Sequence, residues 1–511
     1  MQWLNNLVDQ IIAQVPEGEI LIESGASPSG TYHFGHLREI ITADAVMLEL
    51  KRRGRQARHI QFVDDLDALR KIPINIPTDF EQYLGMPLCD IPAPDGSERT
   101  FADYFADDFI AVANDLGIDM AVERSHLKYR AGFFVPAIEK VLDNVPAARK
   151  TLETVAGRQL DEHWSPIQIM EAGRLKNRRF ISIDPTSQQI TYQTPEGEEK
   201  VTGYAQGEVK LDWRLDWPAR WWMLNVHVEP FGRDHATKGG SYDTGVGIME
   251  DIFKTPAPIP VPYDFINRAG DTKKMSASKG TGIEAKQVTQ VLPAELVRYF
   301  VLVYPPSKRL YFDQGVGVMR LFDEFAALLA KADKTPQEEQ LLEICRAPLG
   351  DQLVISQIPF SHLVASYQSA LRDPAKTIEI IKRTEHAEQV EADIDVIMQE
   401  LQFIDKWLDT WAPEEAKFAL REDISDLELS DAQQSLLKTL ADKVRTAPDD
   451  ADGNWFHQAI YELKDETGLS PKEMFTTLYT VLINQESGPR AGWFLSILPR
   501  DWLIERLQLK A

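Results

Sequence analysis

Two histidines three residues apart, His33 and His36, stand just after a turn rich in serine, proline and glycine, Ser27-Pro-Ser-Gly30. At that spacing on a helix two imidazoles can face one anion. A domain's length downstream, residues 271–280 (DTKKMSASKG) place three lysines and two serine hydroxyls in a glycine-flanked segment with little apolar content. Lysines of that kind suit phosphate oxygens. Taken alone, a histidine pair is more often structural and a lysine-rich turn more often a solvated surface. Three other chemistries fit poorly. Gly25 and Gly30 have the spacing of a P-loop, but Thr31-Tyr32 follows where Lys-Ser/Thr is needed. No G-x-G-x-x-G is present for a dinucleotide, and no zinc pattern supplies a third ligand beside the histidines.

The elements around the pair explain how it is held. Ile20, Leu21 and Ile22 form a short apolar run suited to a buried parallel strand. Ser24, Gly25, Ser27, Pro28, Ser29 and Gly30 then break the pattern. From His36 on, Leu37, Ile40, Ile41, Met47 and Leu48 fall mostly at helical spacing. A helix beginning there directs its free N–H groups and positive dipole end over the turn, a ready place for phosphate.

Together the two stretches resemble the HIGH and KMSKS signatures of class I aminoacyl-tRNA synthetases, written here HFGH at 33–36 and KMSAS at 274–278. Further segments narrow the resemblance to the class I lysyl-tRNA synthetase family: SGASPSGTYHFGH, FVDDLDALRKIP (62–73), KLDWRLDWPARW (210–221), VEPFGRDHATKGGSYDTG (228–245) and KMSASKG. The likeness covers most of the first 330 residues. It implies an α/β, Rossmann-type catalytic domain with an inserted domain, followed by an all-α C-terminal domain. The expected division is an amphipathic helix at 1–18, the halves of the catalytic domain at 19–71 and 206–270, an inserted acceptor-end domain at 72–205, the KMSKS-like loop with a stem-contact region at 271–332, and an α-helical anticodon-binding domain at 333–511.

Bulk properties agree with a chain of this kind. Its 511 residues suffice for two to four domains, and 43% hydrophobic with 26% charged residues is ordinary for a soluble protein. No apolar run reaches the roughly 18 residues a membrane span needs. Trp3, Leu4, Leu7, Val8, Ile11, Ile12 and Val15 make one helical stripe, without a basic start or a cleavage site, that is expected to pack on the protein. Cys89 and Cys345 lie too far apart in sequence to suggest a disulfide framework or metal clip. A cytoplasmic protein is expected. The net charge of −24 argues against a general nucleic-acid binder but leaves local basic fields open. Two clusters could supply them: Lys51, Arg52, Arg53, Arg55 and Arg58, or Arg174, Lys176, Arg178 and Arg179. Each has a plainer reading as a solvated helix end or loop.

Further along, residues 58–63 read as a second strand ending in Asp64-Asp65-Leu66-Asp67, whose acids either touch substrate or cap a following helix, DALRK. The stretch 72–205 interrupts the α/β rhythm with a proline-rich loop, helical segments and a hairpin turned at Pro195-Glu196-Gly197. Some relatives hold zinc on cysteines there; Gln193 to Gly197 offers none, so no structural zinc is expected. Residues 210–222 pack four tryptophans and two arginines, read as a helix with Pro218 in its first turn or as an aromatic wall of an amino-acid pocket. Residues 226–231 read as a strand, and beyond residue 333 amphipathic helices dominate.

The resemblance assigns roles. His33, His36 and Lys274 are the expected catalytic residues, the histidines at the α-phosphate and Lys274 at the β- and γ-phosphates of ATP, which carries Mg²⁺. Gly35, Gly232, Asp234, Met275, Ser276, Ala277 and Ser278 complete the nucleotide contacts. Ala277 stands where the general signature has a second lysine, and Lys279 is the candidate to replace it. Gly25 and Ser27 flank the α-amino end of L-lysine, with Asp65, Asp216 and Trp217 at the other end and His235 in the pocket. The partners are tRNA(Lys) and lysine, with no membrane. The implied chemistry is lysyl-adenylate formation followed by transfer to tRNA. The alternatives are a class I synthetase for glutamate or arginine, and an HxGH nucleotidyltransferase that uses no tRNA.

Overall fold

A computed structural model of the chain describes residues 1–162, 164–270, 282–449 and 451–510. It divides into two compact units, one of residues 1–289, 297–312 and 336–349, the other of 290–296, 313–335 and 350–511. The first unit is built on five strands: β1 (Ile20–Ala26), β2 (Ala57–Val63), β3 (Ala121–Arg124), β4 (Val228–Gly232) and β5 (Ile259–Tyr263). All neighbours pair in parallel, in the order β5-β4-β1-β2-β3. The strand order reverses at β1, where α/β sheets open a crevice at their C-terminal ends. The edge strand β3 comes from within the stretch 72–205 that the pattern of the chain marks as an interruption.

Three helices matter for the site: α1 (Gln2–Gln14), α2 (Phe34–Arg52) and α3 (Trp213–Leu224). The stripe on α1 buries Leu4, Val8 and Ile11, and its Asn5 accepts a hydrogen bond from Arg53 at the end of α2 at 2.9 Å. Helix α2 is buried along most of its length, and its charged side chains each find an anchor. Arg38 donates to the carbonyls of Asp264 (2.5 Å) and Lys308 (2.6 Å), and Asp44 pairs with Arg298 at 2.6 Å. Removing one member of such a buried pair strands the other charge, so these contacts hold α2 in place against the segments at 264 to 308.

Several local expectations shift. The acids at 64–67 lead into turns, with no helix at DALRK. The segment 179–203 forms three antiparallel strands, Arg179–Asp184, Gln189–Gln193 and Glu199–Gly203, because a second turn at 185–188 precedes the one read from the glycine at 197. Helix α3 starts at Trp213, where Asp212 accepts the N–H of Arg214, so Pro218 lies inside the helix and not in its first turn. The helix Pro336–Arg346 belongs to the first unit: Gln340 donates to Glu49 of α2 at 2.9 Å.

The described residues of the second unit are helical, among them Val316–Ala330, Ala387–Thr410, Asp431–Arg445 and Pro471–Ile483. One core packs Leu436, Leu437, Leu440 and Val444 against Ile460, Leu478 and Leu482. In another part Trp407 stacks edge-on with Phe360 and donates its indole N–H to Gln314 O at 3.0 Å. Among the described residues no helix is long and apolar enough to cross a membrane.

Candidate active site

The turn between β1 and α2 is closed by the histidines themselves. His33 is the N-cap of α2; its Nδ1 accepts the N–H of Gly35 at 3.0 Å, and the Nδ1 of His36 accepts the N–H of His33 at 3.0 Å. This is a capping box made of two imidazoles. A ring nitrogen that accepts an N–H carries no proton, so each neutral ring holds its proton on Nε2. Burial moves His36 down to about 4, which keeps it neutral at pH 7. The ring centroids lie 4.1 Å apart. Gly35 is required by space, since a Cβ there would come within 2.7 Å of the His33 ring.

Tyr32 braces this turn, stacking on Phe109 at 4.3 Å and meeting the His36 ring edge-on at 5.0 Å. The chain returning at 282–285 is stitched to it: Phe34 N–H donates to Ile283 O at 2.8 Å, and Ala285 N–H to Tyr32 O at 3.0 Å. Lys274, Met275, Ser276, Ala277 and Ser278 lie outside the described residues. The segment that follows them is therefore anchored directly on the histidine turn.

Both histidines line a cavity of about 390 Å³, and Gly25, Ser27, Gly35, Trp217, Gly232, Asp234 and His235 line it with them. Its aromatic wall comes from α3. Trp213 and Trp217 lie 5.3 Å apart, Trp217 and Trp221 4.7 Å, and His235 stacks on Trp213 at 5.5 Å. Asp65 and Asp216 are not part of the lining. Asp65 accepts the backbone N–H (2.8 Å) and the ring Nδ1 (2.7 Å) of His126, and Asp216 is engaged by the Tyr129 hydroxyl and by Lys210 Nζ at 3.3 Å. Both are buried, and each also faces a cation, Arg124 at 3.7 Å from Asp65 and Lys210 at 3.3 Å from Asp216.

A family model described as tRNA synthetases class I (K) matches residues 1–345. The chain is 34% identical over 489 residues to a Lysine--tRNA ligase of Archaeoglobus fulgidus, covering 95% of this chain and 96% of the relative. It is 33% identical to Lysine--tRNA ligase 1 of Methanosarcina acetivorans over 99% of this chain and 98% of the relative. Against a Lysine--tRNA ligase of Pyrococcus horikoshii it is 30% identical over 100% of both. This chain belongs to the class I tRNA synthetases (K).

In and behind the cavity lining lies a set of charges of which only Asp64 stood among the acids read from the sequence. Glu39 on α2 accepts the Gly25 N–H at 2.8 Å and the Tyr263 hydroxyl at 2.5 Å. Arg220 on α3 pairs with Glu23 of β1 at 3.3 Å and with Asp64 at 3.2 Å, and lies 4.3 Å over the Phe62 ring. Glu229 of β4 accepts the Trp217 indole N–H at 2.9 Å. Burial raises Glu39 to about 7, Glu23 to about 8 and Asp64 to about 6, the last two despite the opposing pull of Arg220. A signal for them existed. Glu23 and Glu229 interrupt strands that are otherwise apolar, and a lone acid in a buried run marks a place where a partner is required.

Both basic clusters are engaged by acids and carbonyls, largely at the surface. Arg52 and Arg53 both bind Glu49, Lys51 reaches Asp119 and Arg58 reaches Glu19. Arg174 donates to the carbonyls of Gln82 and Leu84, and Lys176 and Arg178 share Glu171. These contacts tie neighbouring segments of the fold together.

Proposed function

We propose that this chain joins L-lysine and Mg-ATP to lysyl-adenylate with release of pyrophosphate, then transfers the lysyl group to the terminal adenosine of tRNA(Lys) and releases AMP. One observation carries the proposal: a helix N-terminus whose first turn fixes two neutral imidazoles with Nε2–H donors, on the wall of a cavity that also holds buried carboxylates. Near-full-length relatives that bear the name Lysine--tRNA ligase support the same reading.

The substrate carboxylate is already a competent nucleophile, so adenylation needs no covalent intermediate and no strong base. It needs the reactants held in line and donors placed where negative charge grows on the phosphate oxygens. His33 and His36 supply such donors from a prearranged turn, and α2 adds its dipole. Gly35, Gly232 and Asp234 flank the nucleotide, Lys274 meets the β- and γ-phosphates, and Ser276 and Ser278 help hold the KMSAS segment. Gly25 and Ser27 border the α-amino group, and Trp217 and His235 the side chain. Residues 333–511 supply the anticodon-binding region, and the reaction takes place in the cytoplasm.

The test is ATP–pyrophosphate exchange by the purified protein with each of twenty amino acids, followed by aminoacylation of total tRNA. Exchange dependent on lysine, with charging of tRNA(Lys), is the expected result. Exchange dependent on glutamate or arginine would replace the specificity, and amino-acid-independent nucleotidyl transfer would replace the class of reaction.

A further inference from the structure

The hydrogen bond from His33 N–H fixes one atom of the His36 ring, its Nδ1, but where the Nε2–H points depends on what bounds the rest of the ring. Its near aromatic neighbours are the His33 ring at 4.1 Å and Tyr32 at 5.0 Å, the latter at an interplanar angle of 72°. Tyr32 in turn lies nearly flat on Phe109, 4.3 Å away and 13° from parallel, whereas Phe109 is 6.4 Å from His36. The three centroids therefore make a near-right angle at Tyr32, so His36 sits beside the stack and meets it through Tyr32. Phe109 comes from another part of the chain. It belongs to the helix Phe101–Asp115, inside the stretch 72–205. That helix begins in a capping box between Thr100 and Asp103 and buries Phe101, Phe105, Phe109 and Val112 along one face.

Next to the stack lies a second cavity of about 170 Å³, lined by Thr31, Tyr32, Tyr104, Phe105, Phe109 and Val112 among others. A cavity of about 150 Å³ is large enough for a benzene ring, so the Tyr32 ring has room to turn into it and away from His36. What opposes that turn is the flat face of Phe109, since a stacked aromatic pair is worth more than its buried area alone. We propose that Phe109 and Tyr32 are positioning residues of the adenylation step: Phe109 holds Tyr32 against the His36 ring, and Tyr32 aims the His36 Nε2–H at the phosphate. A donor has to stand where charge grows on the phosphate oxygens, and a displacement of about 1 Å caused by a remote substitution costs up to about 10²-fold in rate. The helix Phe101–Asp115 thus acts on the chemistry although none of its residues is among those lining the catalytic cavity. This assignment rests on the proposed function, because it concerns the rate of the lysine-dependent step.

The test is Phe109→Leu in the full chain, which keeps apolar volume and removes the flat ring. Expected is a fall of about 10- to 100-fold in kcat of lysine-dependent ATP–pyrophosphate exchange, with the KM values for lysine and ATP within about threefold of wild type. Joined to His36→Ala, the same substitution should lower kcat by less than about threefold further, because its effect runs through a ring that is gone. Tyr32→Leu should behave as Phe109→Leu does, alone and in the pair, and takes its place if Phe109→Leu melts below the assay temperature. Tyr32→Phe keeps the ring and should stay within about threefold of wild type. Imidazole NMR gives a readout that needs no activity. In Phe109→Leu the His36 ring signals should shift, and its titration should move up from about 4 as water reaches the ring. Losses of equal size with and without His36 would overturn the proposal, since a merely structural role produces them. So would an unaltered kcat or an unchanged His36 titration in Phe109→Leu, or a loss in Tyr32→Phe as large as in Tyr32→Leu. Wild-type exchange that does not depend on lysine would instead sink the functional reading beneath it, and the His36 titration would then decide the aromatic contact by itself.

Discussion

The two ends of one cavity are built in opposite ways. At the histidine turn, neutral rings hold protons on fixed nitrogens, the hydrogen bonds that set those nitrogens run within residues 33–36, and Tyr32 and the chain at 283–285 brace the turn from outside. At the carboxylate floor, side chains from β1, α3, β4 and the end of β2 converge, and acceptors remain without donors. The first is a donor array suited to an anion, preorganised by backbone. The second is an unfinished ion cluster suited to a cation. The contrast teaches that the site has a polarity, with a phosphate end and an ammonium end, and that only the second depends on its ligand to be electrostatically complete.

The largest expected effect breaks the phosphate end. His36→Ala removes one Nε2–H donor and half of the capping box, and by analogy with lost oxyanion donors the lysine-dependent exchange rate should fall roughly 10²–10³-fold. The KM for lysine should stay within a few-fold, since the floor is untouched; steady-state exchange kinetics check both. A smaller effect sharpens the ammonium end. Trp217→Phe keeps an aromatic wall but deletes the indole N–H on Glu229, and a lost hydrogen bond to a charged group of about 1.5–3 kcal/mol corresponds to a rise in KM for lysine of about tenfold or more, with the ATP KM unchanged.

The smallest effect separates the ends by pH. Glu23 is raised to about 8 and Asp64 to about 6, both by burial against the pull of Arg220, and Glu39 to about 7 by burial against its hydrogen bonds from Tyr263 and Gly25. The groups facing this cluster are Arg220 and Asp216 on α3, Glu229 on β4, and Glu39 on α2. An acid whose folded value lies above its unfolded one binds its proton more tightly when folded, so its contribution to stability is largest at low pH and is lost as pH rises toward the folded value. The empty protein should therefore lose a few degrees of melting temperature from this cluster between pH 5.5 and 8, and the upward shift caused by saturating lysine should grow over the same range. Scanning calorimetry with and without lysine measures this. His36, held near 4, should add no step there.

The two ends also differ in how far they could be read from residues alone. The histidine turn was legible because its geometry is local: a strand, turn formers and a helical pattern in consecutive residues place the ring nitrogens, and the structure differs only in starting the helix at Phe34. Strands β1, β2 and β4 followed from short apolar runs, but both edge strands did not: Ala121–Arg124 has little apolar character to mark it, and Ile259–Tyr263 is interrupted by Pro260 and Pro262. The floor was the least legible part. It joins Glu23, Asp64, Arg220 and Glu229, which are brought together by register and by the packing of α3, neither of which spacing reveals. Asp65 and Asp216 were chosen for their place near motifs, yet His126, Tyr129 and Lys210, remote in sequence, engage them. The surface cations show the same limit in part: Arg174 finds its carbonyls on a distant segment, while Arg53 binds Glu49 four residues away as well as the distant Asn5.

The most direct test of the account is a crystal structure of the protein with a non-hydrolysable sulfamoyl analogue of lysyl-adenylate. The account expects the sulfamoyl oxygens within about 3 Å of the Nε2 atoms of His33 and His36, a hydrogen-bond distance, and the lysyl ammonium against the carboxylate floor at the opposite end of the cavity. An analogue bound with its ammonium at the histidine turn, or lodged outside this cavity altogether, would contradict it.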